Sequence, residues 1–341
     1  MCLLIEMNEK NKTKSPTLAD VARVAGLSAM TVSRTLNNPS MVKSATLKKV
    51  QQAIECTGYI QNKMAGSLAS NKSNLVAIVV PQINNGMFVE TIEAISNTIT
   101  KRGYHVLLSV AGFEQDNEAD IVSNLLTRRP DGIVLTGVHH NNKLKKLLLN
   151  SQIPVVEIWD STPTPIDMLV GLSHDAIGEE IGRLISKRKP KKVGLIWTKD
   201  ERALKRKNGI LKVLERESIS YNTSYVPVPA SLMSGREGLD KLLSQHQDID
   251  TVACSTDTLA QGCITEARRR GLRVPEDLSV IGFGDLDIAS SNIPSITTIN
   301  IDRKGMGIKA ATLLADRIEN IEVTETVVDL EFSVIFRESF F

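Results

Sequence analysis

The sequence predicts an all-α helix-turn-helix headpiece followed by an α/β core of two doubly wound parallel-sheet lobes, and three observations carry that expectation. Residues 18–36 read as two short helices folded across a glycine turn. From residue 74 onward, short apolar runs alternate with amphipathic segments, the rhythm of β-α-β units. Charge divides at the same place. Residues 1–74 hold ten Lys or Arg against four Asp or Glu, a balance of +6, and the remaining 31 bases and 35 acids leave the rest at −4. A basic head on a mildly acidic body fits a chain that grips phosphate with one end only. The length, 341 residues with 42% hydrophobic, allows two or three domains with sizeable cores.

Residues 1–15 are polar and lysine-rich and are expected to form a disordered tail. The opening Met1-Cys2-Leu3-Leu4-Ile5-Glu6 is too short an apolar run for a secretory signal. No stretch approaches the roughly 18 apolar residues of a membrane helix, so no membrane partner is expected. Cys2, Cys56, Cys254 and Cys263 form no CxxC pair and no metal-ligand spacing with the five histidines. Reduced thiols in a cytoplasmic protein, with no metal site, are expected from that pattern, and no cofactor is expected.

Residues 16–60 form the headpiece. Val21, Ala22 and Ala25 recur at helical intervals on the first helix, and Leu27, Val32 and Leu36 give the second an apolar face. Ala22 is small where the two must approach. Gly26 ends the first helix in a left-handed conformation, and Ser28 caps the next. An ordinary helical hairpin from some other core shares each feature singly, but not the whole run. A third helix is expected from Ser44 to Cys56, closed by Gly58. Residues 61–73 then read as a hinge too short to bury a core of its own.

In the core, strands are expected at 75–81, 105–110, 132–135, 154–158, 192–197, 224–227, 251–254 and 278–283, as apolar runs of the kind buried on both faces of a parallel sheet. Helices fall between them, with one more at 303–319.

Asp20-Val21-Ala22, Thr31-Val32-Ser33-Arg34, Tyr59-Ile60-Gln61-Asn62 and Leu68-Ala69 together resemble the signature of the lactose-repressor/galactose-repressor family of bacterial transcription regulators. The resemblance implies a homodimer that sets two second helices into successive major grooves of a palindromic DNA operator, while hinge helices enter the minor groove behind a leucine wedge, here Leu68. Ser28, Ala29, Met30, Thr31, Ser33 and Arg34 are then the headpiece contacts, and Asn62, Lys63, Ala65 and Leu68 the hinge contacts. Ala29 and Met30 are apolar and suit a thymine methyl; Arg34 suits a guanine; Thr31, Ser33 and Asn62 suit phosphate. Gln61 and Lys63 stand where the family often has proline and arginine.

The core is similar to the periplasmic sugar-binding architecture. That similarity implies lobe crossings near 161, 291 and 322, so that 74–160 with 292–322 forms the first lobe and 161–291 with 323–341 the second. An effector then lies between the lobes. Ala29-Met30-Thr31, Asn85, Phe88, Leu135-Thr136, His140, Glu157 and Asp160 are similar to gluconate-type repressors, which implies a sugar or sugar-acid effector. Arg206, three residues before Gly209, matches the family's ligand arginine and suits a carboxylate. Glu157, Asp160, Asp257 and Asp285 suit hydroxyls, and Phe88 or Trp159 an apolar sugar edge. Each has a plainer alternative. Arg206 sits in a basic run, Asp257 sits where a helix cap is needed, His140 lies in a loop, and Phe88 and Trp159 fit a core.

A sugar-acting enzyme is the competing class. Gly282-Phe283-Gly284 has Asp287 where a third glycine would stand, Gly305-Met306-Gly307 follows no strand, and no phosphate loop or nucleophile elbow occurs. The sequence therefore favours a ligand-controlled DNA-binding regulator over a catalyst.

Overall fold

The computed structural model describes residues 15–61, 72–84 and 86–341, arranged as two compact units, Met1–Lys72 and Ser73–Phe341. The tail at 1–14, the hinge positions Asn62, Lys63, Ala65 and Leu68, and Asn85 lie outside the described residues.

The first unit holds α1 (Leu18–Ala25), α2 (Ala29–Asn37), a 3-10 turn (Pro39–Met41) and α3 (Ser44–Thr57). Gly26 takes φ 65° and its N–H closes α1 on Ala22 and Arg23 carbonyls. Val21, Val32, Val50 and Ala53 are sealed together, with Leu18, Leu27, Leu36 and Tyr59 packed around them. A capping box begins the unit: the Thr17 hydroxyl accepts from the Asp20 N–H, and the Asp20 carboxylate accepts from the Thr17 N–H at 2.9 Å. Thr17→Ala is expected to destabilise α1 by about 1 kcal/mol, read as roughly fivefold faster amide exchange in α1 of the full chain.

The second unit is built on three sheets. Strands β1 (Leu75–Val80), β2 (His105–Val110), β3 (Gly132–Thr136), β4 (Val155–Ile158), β5 (Met168–Gly171) and β11 (Val327–Asp329) form a parallel sheet in the order β11-β5-β4-β3-β1-β2. Strands β6 (Val193–Trp197), β7 (Tyr221–Tyr225), β8 (Thr251–Cys254) and β9 (Ser279–Ile281) form a second, ordered β7-β6-β8-β9. Strands β10 (Thr298–Ile301) and β12 (Phe332–Ile335) pair antiparallel. The helices are α4 (Gly86–Lys101), α5 (Gln115–Leu126), α6 (Asn142–Ser151), α7 (His174–Arg188), α8 (Glu201–Arg216), α9 (Leu232–Gln245), α10 (Asp257–Arg269), α11 (Asp287–Ser291) and α12 (Arg303–Ile318).

Both faces of the first sheet are covered, which explains its continuous apolar strands. Val76, Ile78 and Val80 of β1 share a core with α4 and α12, while Ala77 and Val79 share another with α5 and α6. In the second sheet, Val193, Leu195 and Trp197 pack with α7 and α8, and Ile196 with α9 and α10. No described helix is long and apolar enough to cross a membrane.

Sheet membership departs from the lobe crossings expected near 161 and 322. β5 pairs parallel with β4, and β11 with β5, so residues 168–171 and 327–329 belong to the first sheet. Both strands are three or four residues long, and non-local pairing rather than their own pattern places them. The strand expected at 224–227 is Tyr221–Tyr225: Pro227 has no N–H to continue a ladder, so the pairing with β6 runs upstream, from Val193↔Tyr221 to Trp197↔Tyr225. β10, β12 and α11 carry no sequence signal of comparable strength.

Candidate functional site

α2 buries Val32 and Thr35 and turns Ala29, Met30 and Arg34 outward, with Met30 74% exposed. The Ser28 hydroxyl accepts the Thr31 N–H at 3.2 Å and lies 2.9 Å from the Thr31 hydroxyl, so the cap also orients Thr31. Ser33 accepts a 3.4 Å bond from the Asn37 amide. The Gln61 amide reaches the Asn37 carbonyl oxygen at 3.0 Å and ties the end of the headpiece to α2. Arg34 is exposed and enters no ion pair among the described residues. An exposed methionine beside an unpaired arginine offers one apolar and one double-donor contact to base edges.

In the second unit, two cavities open at the carboxyl ends of β1, β3, β4 and β6, the place where open α/β sheets bind ligands. The larger, about 320 Å3, is lined by residues that include Pro81, Gly137, His139, His140, Asp160 and Asp200. The smaller, about 50 Å3, is lined by residues that include Gln82, Phe88, Trp159, His174, Thr198 and Arg206. Phe113, Asp200, Arg202 and Val228 border both.

Arg206 is 4% exposed. Its Nη1 donates to His174 Nδ1 at 3.0 Å and its Nη2 to the Ser255 carbonyl at 3.0 Å, while its plane lies 3.7 Å over the Phe283 ring. Burial lowers its pKa to about 10. His174 Nε2 donates to the Trp159 carbonyl at 2.8 Å, so the guanidinium on one side and the carbonyl on the other hold this histidine neutral. Burial, then the Arg206 charge, drive its pKa well down.

Trp159 follows β4 with φ 72°, a left-handed backbone that costs a non-glycine residue about 1 kcal/mol or more. Its ring meets Phe88 edge-on at 5.5 Å. Both residues are therefore core and cleft wall at once. Asp160, next in the chain, accepts from Lys205 Nζ at 2.8 and 2.9 Å and from the Ser161 N–H at 2.8 Å.

His140 is buried beside the larger cavity. Its Nδ1 donates to Glu118 at 2.8 Å and its Nε2 to the Gly137 carbonyl at 3.1 Å, with Glu157 at 3.4 Å from Nε2. Burial opposes its charge, but the bonds to Glu118 and Glu157 prevail and raise its pKa to about 9. It is an imidazolium clamped between acceptors, in the loop between β3 and α6.

Three expected effector residues do not line the cavities. Glu157 spends its oxygens on His140 and on the Ile166 N–H at 2.7 Å. Asp257 is sealed, accepting from the Thr298 hydroxyl at 2.6 Å and the Leu286 N–H at 2.8 Å, and burial raises its pKa to about 6. The helix cap considered for Asp257 falls to Thr256, whose side chain accepts from the Leu259 N–H. Asp285 bonds Arg337 at 2.6 Å and Asn300 at 3.1 Å. Each carboxylate is matched by donors elsewhere in the protein framework, a pairing that a sequence does not reveal. Gln82, Arg202 and His174 line the cavities without having been singled out as contacts. Arg202 carried the one available signal, since it precedes Arg206 by four residues and shares its helix face.

Among the described residues no group of three or more His, Cys, Asp or Glu could hold a metal ion. The sequence matches "Bacterial regulatory proteins, lacI family" over residues 17–62 and "Periplasmic binding protein-like domain" over residues 182–340. It is 33% identical to the HTH-type transcriptional regulator GntR of Pseudomonas aeruginosa over 341 residues, covering 98% of this chain and 99% of that one. The fold matches a LacI-family transcriptional regulator from Silicibacter pomeroyi with TM-score 0.90 and 32% identity, covering 95% and 99% of the two chains. It matches the lac repressor dimer bound to operator and the anti-inducer ONPF with TM-score 0.80 and 25% identity, covering 96% and 99%. Likeness that runs through headpiece and core alike leaves one assignment: the chain belongs to the lacI family of bacterial regulatory proteins and is a helix-turn-helix transcriptional regulator.

Proposed function

We propose that the chain is a dimeric repressor that reads a palindromic operator through α2 and changes its grip when a small sugar or sugar acid, gluconate-like in size and charge, fills the cleft. One observation carries the ligand half of this reading. At the cleft floor Gln82 Oε1, Trp159 Nε1 and Arg206 Nε are buried without a partner. Each such atom costs about 1–3 kcal/mol when left unpaired, and a polyhydroxylated ligand supplies a donor for the first and acceptors for the other two. Phe88 and Trp159 offer the apolar wall such a ligand needs.

The effector contacts in this reading are Phe88 and Arg206 at the floor and Asp160 and His140 at the larger cavity, together with Asn85, which lies outside the described residues; Glu157, Asp257 and Asp285 hold the framework. Ser28, Ala29, Met30, Thr31, Ser33 and Arg34 contact the operator, joined by Asn62, Lys63, Ala65 and the Leu68 wedge. The chain then works on the nucleoid in the bacterial cytoplasm. A ligand that binds one lobe arrangement better shifts the population toward it, and a coupling of about 1–3 kcal/mol changes operator affinity roughly 5- to 150-fold. The protein relatives are regulators, which disfavours the enzyme alternative.

Arg34→Ala is expected to weaken binding to a palindromic operator about tenfold to a hundredfold and to relax discrimination at one guanine. Fluorescence anisotropy at fixed salt, over a set of single-base operator variants, reads both effects. Wild-type affinity with unchanged base preference in this variant would remove α2 as the reader. Leu68→Ala is expected to reduce operator bending in a circular-permutation gel assay, and an unreduced bend would exclude it as the wedge.

A further inference from the structure

We propose that Arg202, not Arg206, takes the anionic group of the effector, and that Arg206 builds the cleft floor. The proposal rests on the sugar-acid reading above and assigns its charge recognition.

The two arginines sit one turn apart on α8, facing the same way. Their surroundings differ. Both terminal nitrogens of Arg206 are engaged by neutral acceptors, His174 and the Ser255 carbonyl, and its face is covered by Phe283. A carboxylate seeking a two-pronged grip meets a fork each of whose arms already bonds the protein. Two of its five N–H donors are thus taken by the protein, and a third, on Nε, is buried without a partner.

Arg202 is the reverse case. It borders both cavities, yet it makes no hydrogen bond and no ion pair among the described residues. The carboxylates around it are otherwise engaged. Asp200 accepts from the Ala203 N–H at 3.1 Å and the Thr198 hydroxyl at 2.7 Å. Asp160 is held by Lys205, and Glu118 by His140. Glu114 and Glu201 are exposed to solvent.

Position sharpens the point. Arg202 lies in the first turn of the 16-residue α8, where the positive end of the helix dipole disfavours a cation. Asp200 caps this helix end and Glu201 stands in its first turn, but neither bonds Arg202, which leaves the guanidinium available to an anion in the cavity. Trp159, which lines the smaller cavity together with Arg202, holds a further unpartnered N–H. The Arg202 guanidinium also lies 5.2 Å over the ring of Phe88, and its Nη1 comes within 3.7 Å of where a Cβ on Gly137 would sit. Phe88 and Gly137 belong to the first lobe and Arg202 to the second. An anion gripped by Arg202 therefore acts on the contact that bridges the two lobes, whereas Arg206 bonds largely within the cleft floor.

Calorimetric titration of the full-length protein with D-gluconate and with D-glucitol, which keeps the hydroxyls but lacks the carboxylate, tests the assignment. Wild type is expected to prefer gluconate by tenfold or more. Arg202→Gln is expected to bring that preference close to one with the glucitol affinity little changed, and Arg202→Lys to restore part of it. Arg206→Gln is expected to lower the melting temperature of the ligand-free protein by roughly 4 °C or more, and to weaken both ligands alike. A wild-type preference retained in Arg202→Gln would overturn the assignment while leaving the sugar-acid reading intact. A wild type that binds glucitol as well as gluconate, or neither, removes the sugar-acid reading and this proposal with it.

Discussion

Gly209→Ala is expected to destabilise the core by about 3 kcal/mol or more, because there is no room for even one methyl group between α7 and α8. A Cβ on Gly209 would fall on the Asp175 carbonyl oxygen, and one on Gly178 would fall on that of Arg206. One turn on, a Cβ on Gly182 would lie 2.8 Å from the Val213 Cβ. Glycines on facing helices thus let the two backbones touch, and that approach brings His174 at the start of α7 within 3.0 Å of Arg206 on α8. Forcing the helices apart removes packing and the Arg206–His174 bond together. The expected drop in melting temperature is roughly 6–12 °C for a unit of this size, with Asn208→Ala, an exposed neighbour, as control. Equal melting of the two variants would show that the helices can separate without penalty.

The second large effect is pH-dependent. His140 titrates near 9 in the folded chain, above the 6.5 of a free histidine. The stability its charge contributes is fully present below pH 6.5 and is lost as pH rises through 9. The loss is on the order of 3 kcal/mol. The cause is geometric: both ring nitrogens face acceptors, Glu118 on one side and Gly137 with Glu157 on the other, so a neutral ring leaves one of them facing a lone pair. His140→Gln should flatten melting temperature between pH 6.5 and 9. If that variant reproduces the wild-type slope, the alkaline loss has another source. Asp257 acts in a separate window: its folded pKa near 6 lies above the usual 3.8, so the stability it contributes below pH 3.8 is lost as pH rises through 6.

Much of the headpiece was legible because its determinants are local. Gly26 and Ser28 fix the turn by backbone conformation and a cap three residues long, and Val21, Val32 and Val50 declare their faces by helical spacing. The parallel strands were legible for a related reason. Burial on both faces demands unbroken apolar runs such as Leu75–Val80, whatever the partner strand.

The cleft was legible in part. Phe88 and Arg206 line the smaller cavity and His140 and Asp160 the larger, with His140 as a clamped cation and both terminal nitrogens of Arg206 bonded to the protein. Glu157, Asp257 and Asp285 looked like ligand acceptors because a sequence shows a carboxylate but not its donors.

What the sequence by itself determined, then, was a helical headpiece ahead of an α/β core, the face that the second helix buries, and the family. Spacing, capping and charge along a short stretch of chain are enough for that. Tertiary structure alone decided which sheet takes β5 and β11, which polar atoms stay unpaired in the cleft, and which of two arginines is free. Those outcomes depend on groups far apart in the chain, such as Asp257 with Thr298 or His140 with Glu118. Desolvation makes each such pairing obligatory once the lobes close around it.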